Sequence, residues 1–143
     1  MKDLWARLGA WAAKNAGRDL RLRKGASTRA IAAAEKKLSI RFPDDFRESL
    51  LLHDGQESDG DDSIFEWMPG CSPLASLTSL VARWKEEVEL AEEYASNAVK
   101  AVDHGRLHSV LWHPQRIPIA GNQWWDGDNT YLDLYPGPKG ASG

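Results

Sequence analysis

The apolar residues of this chain change their period partway along it, and that change most limits the folds open to it. Leu4, Trp5, Leu8, Trp11 and Ala12 recur at helical spacing, predicting a first helix with Asp3 as N-cap and Asn15-Ala16-Gly17 as its stop. A hydroxyl cap at Ser27 or Thr28 precedes a second helix over 29–38, with Ile31, Ala34, Glu35 and Leu38 on neighbouring turns. Arg41-Phe42-Pro43-Asp44-Asp45 opens a third, Pro43 suiting the first helical position and the two Asp the positive end of the dipole. Phe46, Leu50 and Leu51 form its apolar stripe, and Gly55 stops it. The clearest helix places Leu77, Leu80, Val81, Trp84, Val88, Ala91 and Ala95 on one face. Glu86, Glu87, Glu89, Glu92 and Glu93 then take the solvent side. The later segments read as strands: a short one over 63–67, then 117–120 and 130–134 joined by the loop 121–129. Pro118 implies an edge or strand-start position. Helices first and strands later predict an α+β domain.

Composition removes whole classes of protein. A chain of 143 residues fits one domain. A single cysteine, Cys71, excludes an internal disulfide framework and a multi-cysteine zinc site. No apolar run approaches bilayer length and the first residues do not read as a secretory signal, so a cytoplasmic protein without membrane contact is expected. Charge is distributed unevenly. Residues 1–42 carry 11 basic and 3 acidic side chains, while residues 43–66 carry 1 basic and 9 acidic ones. The basic residues Arg18, Arg21, Arg23, Lys24 and Arg29 lack aromatic partners and any nucleic-acid motif, which points to solvated faces. The acidic block concentrates six carboxylates in residues 54–66 with no Lys or Arg among them.

No set of residues reads as a reaction centre. His104 and His108 have the i,i+4 spacing of two metal ligands, but Gly105 lies between them and the Glu of an H-E-x-x-H site is missing. His53, at a helix end, is placed to satisfy the last carbonyls, and His113 precedes a proline in a turn. Asp59, Asp61 and Asp62 fail the calcium-loop pattern, whose twelfth position falls on Gly70. There is no phosphate or dinucleotide loop. A non-enzyme without cofactor or metal is the expectation. Of seven tryptophans, Trp5, Trp11 and Trp84 lie on apolar helix faces and read as core. Trp124-Trp125 stands in a loop beside Asp126; either both indoles cap the sheet edge, or one is exposed as a binding anchor.

Several of these signals occur in a recognisable order. Ile31, Glu35 and Leu38 lead to Phe42-Pro43-Asp44-Asp45-Phe46 and the turn His53-Asp54-Gly55-Gln56. Pro118-Ile119-Ala120, Gly127-Asp128 and Leu132-Asp133-Leu134 followed by Pro136-Gly137 come later. This combination resembles the SUKH superfamily, named partly for fungal cell-wall regulators of the Smi/Knr type. The resemblance covers residues 25–143, leaving an N-terminal helix and basic connector over 1–24. It implies a mixed sheet packed by helices and a binding module rather than an enzyme. Many bacterial members are immunity proteins against polymorphic toxins, often nucleases. The family usually continues into further strand and a closing helix, which implies here a shortened chain, a partner strand or a homodimer through the sheet edge.

The resemblance and the charge pattern together predict an immunity protein that occludes a cognate toxin encoded by an adjacent gene. The predicted contacts are Glu57, Asp59, Asp61 and Asp62 in the acidic loop, with Trp124, Trp125 and Asp126 in the second loop. An acidic loop suits a cationic nuclease groove; the plainer reading is a solvated surface. The rival function is a non-catalytic scaffold of the cell-wall-regulator type.

Overall fold

The computed structural model describes residues 1–17, 19–57, 72–93, 105–110, 112–121, 125 and 129–141. Four helices come first: α1 Lys2–Ala16, α2 Thr28–Leu38, α3 Asp44–Leu52 and α4 Leu77–Glu93. Two strands follow, β1 Arg116–Ala120 and β2 Thr130–Asp133. The fold is α+β, with every pairing among the described residues antiparallel. Ile117 stands opposite Leu132 and Pro118 opposite Tyr131, and the register slips between Pro118 and Ala120. A proline has no N–H to give a ladder, and it sits where the ladder becomes irregular. On its other side β1 meets the segment before α4, where Ala75 N–H donates to the Ile119 carbonyl at 2.9 Å. Among the described residues β2 pairs with β1 alone, and beyond it Leu107 bridges Pro136. The strand expected over 63–67 lies outside the described residues.

Local chemistry accounts for the helix boundaries, with small shifts from the expected ones. Asp3 stands inside the first turn of α1 and Met1 is the N-cap; Gly17 closes the helix in the left-handed region at φ 62°. Ser27 caps α2 by accepting Ala30 N–H at 3.1 Å. Pro43 is the N-cap of α3 and not its first residue, with Asp44 and Asp45 in the first turn. That helix ends at Leu52, before Gly55. At Gly55 φ is 74°, and a Cβ would lie 2.6 Å from the backbone of Ala75 and Ser76. The glycine serves a close chain crossing, not a helix stop.

The main core joins α2, α3, α4 and β1 through Ile31, Ala34, Leu38, Phe42, Leu50, Leu77, Leu80 and Ile117. Among the described residues the fully buried aromatic ring is Phe42, with Phe46 half-buried against it edge-on at 5.2 Å. Leu51, expected in the α3 stripe, is 47% exposed. Glu35 ties α2 to the start of α3, accepting Phe42 N–H at 2.8 Å and pairing with Arg47. Burial works to raise this carboxyl's pKa; the hydrogen bonds from Arg47 and Phe42 and the nearby cations outweigh it, leaving the value below normal.

A smaller core holds α1. Ala12 and Leu20 are buried there, with Trp5, Leu8 and Leu22 packed on them. Trp5 reaches α3, its Nε1 donating to Ser49 Oγ at 3.2 Å and its ring meeting His53 at 5.2 Å. The His53 imidazole faces the Arg23 carbonyl, 3.4 Å away, rather than its own helix end. Trp11, expected in the core, is 42% exposed, because the helix buries the row of Trp5, Leu8 and Ala12 and carries Trp11 beside it.

A candidate interaction site around Trp125

The turn Asp54-Gly55-Gln56 organises the ground on which the site stands. Asp54 Oδ1 accepts Leu77 N–H at 2.7 Å, so a residue from after α3 caps the start of α4. Gln56 is buried and bonded at both ends of its amide. Its Nε2 donates to the Leu20 carbonyl at 2.6 Å, and its Oε1 accepts Leu74 N–H at 2.9 Å. One side chain thus joins the connector behind α1 to the segment leading into α4.

With α4 so fixed, its inner edge meets β2 and the β1–β2 connection. Arg83 Nη2 pairs with Glu87 Oε1 at 2.6 Å, one turn along the helix. The same Glu87 oxygen accepts the Tyr131 hydroxyl of β2 at 2.9 Å. Only 9% of Glu87 is exposed, so it does not take the solvent side expected for it. An anion so buried needs partners, and Arg83 and Tyr131 supply them. Burial first, then the charge of Glu87 and its hydrogen bond, push the Tyr131 hydroxyl up to about 12. The phenol therefore stays protonated and donating.

Trp125 closes this network from the loop. The Arg83 guanidinium carbon lies 5.6 Å from the centre of its ring, within cation–π range. Trp125 has φ 53°, a left-handed conformation uncommon for a bulky residue, and Asn129 Nδ2 donates to its carbonyl at 3.0 Å. Its ring lies against Gly121, where a Cβ would fall 2.3 Å from ring carbon Cε3. Trp125 is half-buried, folded back on the sheet and on α4. Glu57 is exposed, with its backbone N–H on the Arg21 carbonyl at 2.9 Å. Asp59, Asp61, Asp62, Trp124 and Asp126 lie outside the described residues, as does Cys71.

Arg83, Glu87, Asn129 and Tyr131 escaped the sequence reading. The available signal was Glu87 standing four residues after Arg83 and seven after the core residue Leu80, a spacing that returns to the inner face.

A second cluster lies at the foot of the sheet. The Tyr135 ring is stacked between His108, at 4.2 Å, and His113, at 3.8 Å. Arg116 donates to the carbonyls of Val110 at 3.1 Å and His108 at 3.3 Å, and faces Asp133 at 3.6 Å. Burial, then the charge of Arg116, hold the His113 imidazole below its usual value. His104, the other half of the i,i+4 pair, lies outside the described residues. No three His, Cys, Asp or Glu side chains stand together to hold a metal ion among the described residues. No helix among them is long and apolar enough to cross a membrane.

These features define an α+β domain in which a polar network on α4 brings Tyr131 and Trp125 against the helix. The chain belongs to the SMI1/KNR4 family (SUKH-1), whose model matches residues 25–143. It is similar to a cell wall biosynthesis/cell cycle regulator, smi1, of Schizosaccharomyces pombe, with 29% identity over 100% of this chain and 30% of that protein. It is also similar to a glucan synthesis regulatory protein of Neurospora crassa, with 24% identity over 97% of this chain and 32% of that protein. The chain thus spans about a third of the length of these relatives.

Proposed function

We propose that this protein is a non-catalytic interaction module of the cell-wall-regulator type, acting by binding another protein. The observation that carries this reading is the alignment of the whole chain with a fungal regulator of cell wall biosynthesis. The geometry around Trp125 supports it. Arg83 and Tyr131 both bond Glu87, and Arg83 lies over the Trp125 indole, which is the work of a positioning scaffold. The loop carrying Trp124, Trp125 and Asp126 is the proposed contact, with the acidic residues Glu57, Asp59, Asp61 and Asp62 as a charged rim. The relatives favour a regulator over a toxin-neutralising protein, since both are named for regulation.

The test is affinity capture from the native host, comparing wild type with Trp125→Ala and with Asp59→Lys/Asp61→Lys. Proteins of cell-wall synthesis recovered with wild type and reduced with the variants are expected. Recovery of a toxin encoded by the adjacent gene would overturn the regulator reading. Turnover of a substrate by the purified chain would overturn the non-catalytic one.

A further inference from the structure

Helix α1 carries two parallel rows on its outer side. Its inner row, Trp5, Leu8 and Ala12, is consumed by the small core. Beside it stand Leu4, 55% exposed, and Trp11, 42% exposed, seven residues apart and so on one line of the helix. Arg7 and Lys14 are also seven apart, both exposed, and form a cationic line next to the apolar one. Leu4, Arg7, Leu8, Ala10 and Trp11 together form one open surface along this helix. A single exposed apolar residue is ordinary, but two aligned on one helix face with cations alongside form a pattern.

The spacing and the charge both select the occupant. Leu4 to Trp11 spans two turns, about 10 Å, the repeat at which a second helix presents its own apolar residues. Arg7 and Lys14 would repel a basic helix and attract carboxylates flanking the apolar stripe of an acidic one. On α1 the one opposing charge is Asp3, in the first turn.

We propose that the outer face of α1 docks an acidic amphipathic helix of a partner protein, Leu4 and Trp11 taking its apolar stripe and Arg7 and Lys14 its carboxylates. This gives a partner chemistry to the interaction-module reading and rests on it. The surface lies before the family-matched residues 25–143.

The experiment uses the full chain and a labelled synthetic helical peptide with Leu at i, i+3 and i+7 and Glu around them. A counterpart with Lys in place of Glu is the control. The Glu peptide binds, and binding weakens with salt; the Lys peptide binds about tenfold more weakly or less. Trp11→Ala reduces affinity by about tenfold or more. Arg7→Glu/Lys14→Glu weakens binding and reverses its salt dependence, since salt then screens a repulsion. Leu4→Glu, at the more exposed position, weakens binding without changing the melting temperature, so a folding defect in Trp11→Ala would not decide the matter. Equal binding of the two peptides, or none, overturns the proposal. So does a dimer that Leu4→Glu dissociates, because the occupant is then a second copy. Capture from the native host separates the two readings. A native partner retained fully by Leu4→Glu and Trp11→Ala sinks the α1 surface alone. A wild-type chain that captures no partner sinks the interaction module itself.

Discussion

The Asp54 carboxylate caps a helix from 23 residues away, accepting the Leu77 backbone N–H at 2.7 Å. The bond satisfies a donor that α4 cannot satisfy within itself, and it ties the start of α4 to the turn after α3. Asp54→Ala should lower stability by about 1 kcal/mol, the usual cost of losing such a cap. Chemical denaturation of the two proteins measures it. An unchanged midpoint would mean that water caps α4 equally well.

Gln56 should matter more. Its amide serves the Leu20 carbonyl and the Leu74 N–H inside the protein. Removing it strands both, and each buried unsatisfied group costs about 1–3 kcal/mol. Gln56→Ala should therefore cost about 2 kcal/mol or more. Gln56→Glu should also destabilise, because a carboxylate has no donor for the Leu20 carbonyl. If the glutamate variant matches wild type, the Nε2 contact contributes nothing.

The turn containing these residues shows what the sequence could and could not disclose. Its position after α3 was legible, as were the four helices and both strands, because apolar period and cap chemistry are local. Its roles were not, since Gln56 acts on residues 18 and 36 positions away. The same reason hid Glu87. Glutamate on a helix reads as solvent-facing until Arg83 and Tyr131 are seen to enclose it. Trp11 was misplaced for the opposite reason. Its spacing matches the buried row, but α1 has only a small core to lean on, and one row fills it.

The hydroxyl of Tyr131 predicts a dependence on alkaline pH. Its folded pKa, about 12, stands above the ordinary 10.0, so the unfolded chain loses this proton first. The stability it contributes is fully present below pH 10 and is lost as pH rises from there through about 12. Denaturation midpoints of wild type and Tyr131→Phe should converge across that window. A difference independent of pH would show that Glu87 does not hold the proton.

His113 predicts the acid side. Its folded pKa lies below the ordinary 6.5, so the unfolded chain binds a proton first as pH falls. The contribution is fully present above 6.5 and is lost as pH drops from there through the folded value. His113→Phe keeps a ring against Tyr135 but cannot be protonated, and should lose less stability than wild type on mild acidification. Identical acid profiles for the two proteins would refute this.

The contact between Gly121 and Trp125 gives the sharpest test of the loop geometry. A methyl group at position 121 would overlap the indole, so Gly121→Ala must displace the ring or the strand end. Overpacking of this kind costs about 1–3 kcal/mol. If the main clash is with the ring, removing the ring removes that part of the cost. Gly121→Ala should then cost less in a Trp125→Ala background, where the approach to Asn129 Oδ1 at 2.7 Å remains, with a coupling of about 1 kcal/mol or more between the sites. The displaced indole would also leave the Arg83 guanidinium, so Gly121→Ala should change tryptophan emission while Trp125→Ala/Gly121→Ala matches Trp125→Ala alone. Additive costs would show that the ring carries none of the cost at position 121 and that Trp125 packs elsewhere.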